Sequence, residues 1–293
     1  MVDLPRYNAP RHDLIVSIDW AQEELVLLAG QSKDPNLLAC YTCDPFKDVH
    51  SMTTAPLVGM TYEEFETARK VDKLLDSVRT TKGKGTNFGS IYGIGKSKLS
   101  RQLLIPVDEA DLWIRGFDQT YPGVKIWKQS VIELLRRQGY VEDLFGIRRH
   151  IYDRPQRVSA NEASMIDRQV ISFMIQGLAA GILKRTLARL HRQRTFAKFK
   201  ASFIAPLYDE IVFSCSSLYG FDAITEVHEA MVEVVPGLGL DMKADISIGP
   251  NFGDQIEIGR DPNKEKYEQA LNDIKEKQGA KKTQGDSGVP RRS

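Results

Sequence analysis

The sequence predicts an α+β protein, and three observations lead to this fold class. The apolar run LIVSID (residues 14–19) predicts a strand that is followed by a turn and a helix. Two long stretches, at about residues 62–137 and 159–200, carry apolar residues at helical spacing. The segment FIAPLYDEIVFSC (203–215) predicts a β-hairpin with acidic residues at its tip.

The other elements follow in chain order. Gly93, Gly95 and residues 121–123 are expected to interrupt the first helical stretch. A helix pattern returns at about residues 223–234, MKADISIG (242–249) predicts another strand, and one more helix is expected from Asn263. The polar segment QGAKKTQGDSGVPRRS (278–293) is predicted to be a disordered tail.

The composition is that of an ordinary soluble protein. The chain has 293 residues, of which 42% are hydrophobic and 27% are charged, and at roughly 150 residues per domain this length predicts two lobes. Three cysteines in a chain of this length give no disulfide framework. The N-terminus does not match a signal peptide, and we find no run of about 18 apolar residues. We therefore expect a cytoplasmic protein without a membrane partner.

The charges are balanced in total but not in position. The net charge is only +1, yet no acid occurs between Ser77 and Val107 or between Arg168 and Tyr208, while lysine and arginine accumulate in both blocks. Such blocks either form a surface that faces phosphates or are solvated helix faces.

Two short motifs resemble binding sites but lack residues that those sites need. The segment GIGKS (93–97) lacks the glycine that a phosphate-binding P-loop needs at position 90, which is Ser90. Cys40 and Cys43 have the spacing of metal ligands, but no second pair completes a zinc site.

Three acids at predicted strand ends indicate a site for divalent cations. Asp19 ends the first strand, and Asp209 with Glu210 forms the hairpin tip, so we expect the three carboxylates to lie together. Carboxylates in such proximity repel one another, and Mg²⁺ ions, which prefer oxygen ligands, would relieve this repulsion. The alternative is that these acids only mark turns.

A helix that combines cations with aromatic rings is the third element. In RTTKGKGTNFGSIYG (79–93), Thr80, Lys84, Phe88 and Tyr92 recur every four residues and share one helix face. This face suits a nucleoside triphosphate, with Lys84 at the phosphates and Phe88 against the base.

These elements, in this order, resemble the polymerase core of family A DNA polymerases. DWAQEEL (19–25) is similar to the family's motif A, KGKGTNFGSIYG (82–93) to motif B, and YDE (208–210) to motif C. The segments DVHSMTTA (48–55), FDQTYPGV (117–124), GYVEDLFGIRRHI (139–151) and RQVISFMIQGLAAGILKR (168–185) also resemble the family, and the likeness spans about residues 12–255.

The resemblance implies a two-metal nucleotidyl transfer from a dNTP to a primer 3′-hydroxyl, with release of pyrophosphate. Asp19 and Asp209 match the ligands of two Mg²⁺ ions, and Glu210 matches a nearby, less essential carboxylate. Lys84 matches the lysine that binds the triphosphate and can protonate the pyrophosphate. Glu24 matches the acid that excludes a ribose 2′-hydroxyl.

Further nucleotide contacts follow from the same resemblance. Phe88 matches the ring that stacks on the incoming base, and Tyr92 matches the aromatic residue near the templating position. Thr80 stands where the family usually has arginine, so Arg79 or Lys82 would take over part of the grip on the triphosphate.

The resemblance also implies primer-template DNA as the partner. Arg168 and Gln176, which lie eight residues apart on one helix, match contacts to the minor groove. Tyr208 stands at the usual motif C histidine and is expected to reach the same groove. Arg148 and Arg149, in the segment that resembles the family at residues 139–151, are further predicted DNA contacts.

The implied architecture is the right hand of a polymerase, a palm with an antiparallel sheet and inserted helical fingers. We expect a first palm part at residues 1–47, fingers at 48–157, a second palm part at 158–262, and a C-terminal helix with its tail at 263–293. Motif A lies close to the N-terminus, so we expect neither a thumb nor an exonuclease domain, and a separate thumb or exonuclease chain is an expected partner.

Palm and fingers alone are the arrangement expected of a split polymerase, such as one encoded by a phage, or of a truncated fragment. The expected location is the cytoplasm of a bacterial cell or of a phage-infected host. Two alternative functions stay open: a core resembling single-subunit RNA polymerases, and a catalytically idle DNA-binding subunit.

Overall fold

A computed structural model describes residues 12–43, 46–151 and 158–285 of the chain. The chain divides into two compact units. The first contains Met1–Glu23, Ile182–Val235 and Asp241–Ser293, and the second contains Glu24–Gly181 and Pro236–Leu240. The predicted palm and fingers boundaries, at residues 47/48 and 157/158, divide the chain by function and stay a prediction.

The first unit contains a five-stranded antiparallel sheet. Its strands lie in the order β4-β5-β1-β6-β7, with β1 at Leu14–Trp20, β4 at Ser202–Leu207, β5 at Glu210–Cys215, β6 at Ala244–Gly249 and β7 at Ile256–Gly259. Val16, Ile18 and Trp20 of β1 are buried on the face opposite Asp19, as alternation along a strand requires. The predicted strands at residues 14–19, 203–215 and 242–249 are confirmed.

Helices of the first unit support this sheet. Those that contact its strands are α12 (Thr195–Lys198), α13 (Gly220–Met231) and α14 (Lys264–Gly285). The Trp20 indole Nε1 donates to the backbone oxygen of Met231 at 2.7 Å, and the Tyr267 hydroxyl donates to the backbone oxygen of Ser217 at 2.9 Å. Helix α14 continues past Gln278, where the sequence placed the start of the tail, and residues 286–293 of that tail lie outside the described residues.

The second unit is mostly helical. Its elements are α1 (Glu23–Ser32, with Glu23 just before the unit), α2 (Pro35–Tyr41), α3 (Val49–Leu57), α4 (Tyr62–Ala68), α5 (Lys73–Val78), α6 (Lys84–Ile91), α7 (Lys96–Leu103), α8 (Val107–Thr120), α9 (Pro122–Gln138), the hairpin β2 (Tyr140–Glu142) and β3 (Arg148–His150), and α10 (Ala160–Ser172). Gly93 has φ +69° and ends the turn after α6, and a second break separates α8 from α9. The predicted interruptions are thus confirmed.

Two single π turns extend these helices. The first, π1, spans Arg79–Gly83 before α6, and the second, π2, spans Phe173–Gly177 between α10 and α11 (Leu178–Gln193). A π turn holds more residues than an α turn and occurs often at functional sites. Neither was predicted from the sequence, because helical spacing alone does not distinguish the two kinds of turn.

The continuous helical segment Ala160–Gln193 is, within the described ranges, the one segment long and apolar enough to cross a membrane. Length and composition alone give this result, and 44% of its most apolar window is buried inside the protein. The core helix of a soluble protein meets the same criteria, so this segment is weak evidence for a membrane span.

Candidate active site

A row of acids crosses three adjacent strands of the sheet. In the antiparallel register, Asp19 of β1 lies opposite Glu210 of β5 and opposite Asp245 of β6. Residues opposite one another in such pairs project from the same face of the sheet. Asp209 adjoins the row in the hairpin turn, where its backbone oxygen accepts a hydrogen bond from the Trp20 amide at 3.1 Å. The predicted grouping of Asp19, Asp209 and Glu210 therefore exists.

The acids repel one another in their charged forms. Partial burial, which is the largest cause, and the neighbouring charges of Asp209, Glu210 and Asp245 together raise the pKa of Asp19 from 3.8 to about 7. A side-chain hydrogen bond with Asp209 also favours the protonated form. A cation bound at this row would stabilise the ionised carboxylates instead.

The donor set fits a hard divalent cation that also binds the substrate. Within the ranges that the structure describes, no three histidine, cysteine or acidic side chains converge at metal-ligating distances. Mg²⁺ commonly uses one or two protein carboxylates and completes its shell with water and substrate phosphates. Oxygen donors at Asp19 and Asp209, together with the unfavourable charge of the row, are consistent with that mode of binding.

Asp245 is a member of the row that the sequence analysis missed. Ala244, Ile246 and Ile248 are buried along β6, so Asp245 projects from the other face. The alternation in MKADISIG would have identified it as an acid on the polar side of a strand. The guanidinium of Arg260 donates from Nε to Asp245 Oδ1 at 3.1 Å, which partly balances the added charge.

In the second unit, α6 presents one open face and buries the other. Thr86, Asn87 and Ile91 are buried, whereas Lys84 is exposed and Phe88 is partly exposed. The Lys84 ammonium lies 6.0 Å from the centre of the Phe88 ring. The cation and the ring thus share one side of the helix, as the four-residue spacing predicted.

Close packing explains Gly83, which precedes α6. A Cβ atom at Gly83 would lie 2.3 Å from Thr54 Oγ1 and 3.2 Å from the backbone oxygen of His50. Glycine therefore allows the π1 turn to approach α3 closely, a gain that offsets the cost of about 1 kcal/mol for glycine in a helix.

His50 is a second residue that the sequence analysis did not single out. Its ring lies 5.8 Å from the ring of Phe88. The Asn87 amide nitrogen donates to the Val49 backbone oxygen and to His50 Nδ1, both at 3.1 Å. Since Nδ1 accepts this bond, the ring proton of neutral His50 lies on Nε2. The pKa of His50 is lowered to about 4, mainly by burial; the charge of Asp48 opposes this shift, and the charges of Arg79 and Lys84 contribute to it.

The other two cations near this helix already have carboxylate partners. The Arg79 guanidinium forms an ion pair with Asp48, and the Lys82 ammonium lies 2.6 Å from Glu109 Oε1. By contrast, Lys84 makes no ion pair with any residue in the described ranges. A phosphate contact by Arg79 or Lys82 would require exchange of these partners, and it stays a prediction.

Glu24, Gln176 and Tyr92 meet in the second unit. Gln176 Nε2 donates to Glu24 Oε1 at 3.2 Å, and the Ser172 hydroxyl donates to Gln176 Oε1 at 2.7 Å. Burial raises the pKa of the Tyr92 hydroxyl, and the neighbouring Glu24 carboxylate raises it further. Three residues that were predicted from separate motifs thus form one group.

The predicted DNA contacts lie on three elements. Arg168 Nη1 donates to Ser164 Oγ at 2.6 Å. Gln176 lies in the π2 turn, whereas Arg168 lies in α10. A π turn rotates less per residue than an α turn, so it brings Gln176 closer to the helix face of Arg168 than a regular α-helix would.

Tyr208 occupies the hairpin tip of the first unit. Its residue surface is 98% exposed and its φ is +58°, a backbone region that is costly for a bulky residue. Arg148 and Arg149 lie on β3 in the second unit. There Arg148 pairs with Glu142 at 2.6 Å and stacks on the Tyr140 ring at 4.8 Å.

Comparisons with known proteins identify the family of the chain. The family model "DNA polymerase family A" matches residues 6–254. Thermostable DNA polymerase I of Thermus aquaticus is 30% identical over 240 residues, which are 82% of this chain and 27% of that protein. DNA polymerase I of Treponema pallidum (strain Nichols) is 31% identical over 246 residues, 83% of this chain and 23% of that protein. The chain therefore spans about a quarter of the length of the curated relatives it matches.

A solved structure shows the same fold. The polymerase domain of Pol1 from M. smegmatis, in complex with DNA primer-template and dNTP, matches with a TM-score of 0.70 at 22% identity. The match covers 83% of this chain and 41% of that chain.

Proposed function

Because the chain belongs to DNA polymerase family A, we propose that it is the nucleotidyl-transfer core of a template-directed DNA polymerase. In the proposed reaction, a primer 3′-hydroxyl attacks the α-phosphate of a dNTP, and the bond to pyrophosphate breaks. The row of Asp19, Glu210 and Asp245, with Asp209 beside it, is the observation that carries the proposal, because its repulsion favours bound cations.

Asp19 and Asp209 would hold two Mg²⁺ ions, and Glu210 would support them. When bound, such ions stabilise the charge on the attacking and leaving oxygens of an in-line phosphoryl transfer. With cations bound, the carboxylates would stay ionised. Asp245, paired with Arg260, contributes negative charge to the row.

The second unit would supply the contacts to the nucleotide. Lys84 binds the triphosphate and gives its proton to the departing pyrophosphate, after which solvent reprotonates the amine. Phe88 stacks on the base, and the His50 Nε2–H can donate a hydrogen bond to a phosphate oxygen. Glu24, held by Gln176, occupies the space that a ribose 2′-hydroxyl would need.

The DNA contacts and the cellular setting belong to the same proposal. Arg168, Gln176 and Tyr208 would contact the primer-template minor groove, where A·T and G·C pairs share acceptors and pairing can be tested without reading sequence. Arg148 and Arg149 would contact the backbone. The chain would act in the cytoplasm, and a separate thumb or exonuclease chain would extend its grip on DNA.

Primer extension with matched variants tests the proposal. We expect the wild-type chain to extend a primer with dNTPs and Mg²⁺, and Asp209→Ala to reduce the rate on the order of a thousandfold or more. DNA affinity, measured by fluorescence anisotropy, should change little, because phosphate contacts come from cationic residues. Glu257→Gln, which changes an exposed acid of β7 outside the row, is the control.

Each alternative function predicts a different result. A wild-type chain that binds primer-template but extends nothing, alone or with a partner chain, would be the idle subunit. Extension with ribonucleotides in preference to dNTPs would favour the relationship to RNA polymerases. Near-normal extension by Asp209→Ala would show that the acid row is not needed for nucleotidyl transfer.

A further inference from the structure

A partly buried lysine that has no role in the proposed mechanism contacts the nucleotide-binding helix. The Lys128 ammonium, on α9, donates a hydrogen bond to the backbone oxygen of Ser90 near the end of α6. It also lies 5.9 Å from the centre of the Phe117 ring. Both α6 and α9 belong to the second unit.

The carbonyl that Lys128 binds is part of the turn that ends α6. The Gly93 amide donates to the Ser90 oxygen at 3.1 Å, and the Ile94 amide donates to the Gly89 oxygen at 2.9 Å. With Gly93 at φ +69°, these bonds form a Schellman motif. A carbonyl oxygen has two lone pairs, so Lys128 adds a second, charged hydrogen bond to a carbonyl that Gly93 already uses.

This contact joins α9 to the C-terminal end of α6, where a positive charge is stabilising. The C-terminal carbonyls of a helix carry partial negative charge and are stabilised by a cation. Hydrogen bonds from a charged donor are stronger than those between neutral groups. Burial lowers the pKa of Lys128 to about 8, against the opposing charge of Asp118. Burial thus disfavours the charged ammonium, and the hydrogen bond to the Ser90 oxygen helps to stabilise it.

The turn also sets the position of Tyr92. Tyr92 lies between Ser90 and Gly93, and its hydroxyl is beside Glu24. If the turn loosens, Tyr92 and the last turn of α6 gain freedom that nucleotide binding must then remove.

We propose that Lys128 is a positioning residue that fixes the C-terminal turn of the nucleotide-binding helix and thereby lowers the KM for dNTPs. It touches neither the nucleotide nor the reacting atoms. This inference rests on the proposed function, since it assigns nucleotide binding to α6.

Two substitutions at Lys128 and one control test the inference. Lys128→Met keeps the length of the side chain but removes its N–H groups and charge, whereas Lys128→Gln keeps an N–H donor. Lys125→Met changes an exposed lysine of the same helix. For Lys128→Met we expect a KM for dNTPs about tenfold higher, with kcat within about twofold, which corresponds to loss of one charged hydrogen bond. Lys128→Gln should lie between Lys128→Met and wild type, and Lys125→Met should match wild type.

Hydrogen–deuterium exchange provides a readout that does not depend on activity. In Lys128→Met, peptides that contain the amides of Gly93 and Ile94 should exchange several times faster, while peptides from α3 should be unchanged. If the wild-type chain extends no primer, the proposed function fails, but the exchange data still decide whether Lys128 fixes the turn.

Two outcomes would overturn the inference. One is an unchanged KM with unchanged exchange at residues 90–94 in Lys128→Met. The other is a fall in kcat and in melting temperature without a rise in KM, because a purely structural lysine would give that result.

Discussion

Replacement of Asp19 by Asn should make the protein more stable in metal-free buffer at neutral pH, although it removes a proposed metal ligand. Asp19 is the acid on the central strand, and Asp209, Glu210 and Asp245 all raise its pKa. Asn has nearly the same shape but no charge, so the substitution removes the repulsion and keeps the packing.

The size of the effect follows from the pKa of Asp19. A rise from 3.8 to about 7 corresponds to about 4 kcal/mol at roughly 1.4 kcal/mol per pKa unit. Asp19 is only partly buried and retains exposed surface, so solvent screens its charge and we expect about 1–2 kcal/mol.

The pH dependence has a definite sign. The pKa of Asp19 in the folded protein is above its unfolded value, so the folded state binds more protons between about pH 4 and pH 7. Wild-type stability therefore falls as pH rises through this window. The gain in unfolding free energy of Asp19→Asn over the wild type should be complete above pH 7 and should disappear near pH 4.

Urea unfolding with a chelator present, followed by circular dichroism from pH 4 to pH 8, measures this difference. Glu257→Gln is the control for removal of a charge elsewhere on the sheet. Addition of Mg²⁺ should reduce the advantage of Asp19→Asn, because the wild type binds the ion better. A constant difference in unfolding free energy at pH 4 and pH 8, or a less stable Asp19→Asn protein at pH 8, would refute the reasoning.

Three other substitutions test separate parts of the site. Glu24→Ala should admit ribonucleotides at least tenfold more readily, because it opens space at the 2′ position; unchanged competition between dNTPs and rNTPs in primer extension would contradict this role. Phe88→Tyr should incorporate dideoxynucleotides more readily than the parent, since the added hydroxyl can compensate for the missing 3′-hydroxyl; sequencing-gel termination ratios measure this. Gly83→Ala should lower the unfolding free energy by about 1–3 kcal/mol, because its Cβ would overlap Thr54; an unchanged urea midpoint would show that α3 yields without cost.

Much of the fold and the acid row was predictable because strand alternation and turn residues act locally. The hairpin tip at Asp209 and the strand end at Asp19 have clear local patterns, and the register between their strands follows once one face is buried. The grouping of Glu24 with Tyr92 and Gln176 was predicted only as separate contacts, because nothing local specifies that these side chains meet.

Other features depend on tertiary packing and could not be predicted in this way. Arg79 and Lys82 were predicted as phosphate contacts from their position alone, yet Arg79 is paired with Asp48, which caps α3, and Lys82 with Glu109 of α8. Such pairs depend on how α3 and α8 pack against the π1 turn. The pattern around Asp245 was visible in the sequence, but its importance depends on β6 lying next to β1 instead of at the far edge of the sheet.

The central position of β1 has a consequence for biosynthesis. This strand is synthesised long before its partners β5 and β6, which begin at Glu210 and Ala244. At about 5–20 residues per second, an apolar strand therefore waits on the order of ten seconds or more without its neighbours, and it is exposed to aggregation during that time. The helices encoded in between have mainly local contacts and can form earlier. The acid row is thus complete only after β6 has been made, and catalytic competence should arise only when synthesis has passed β6.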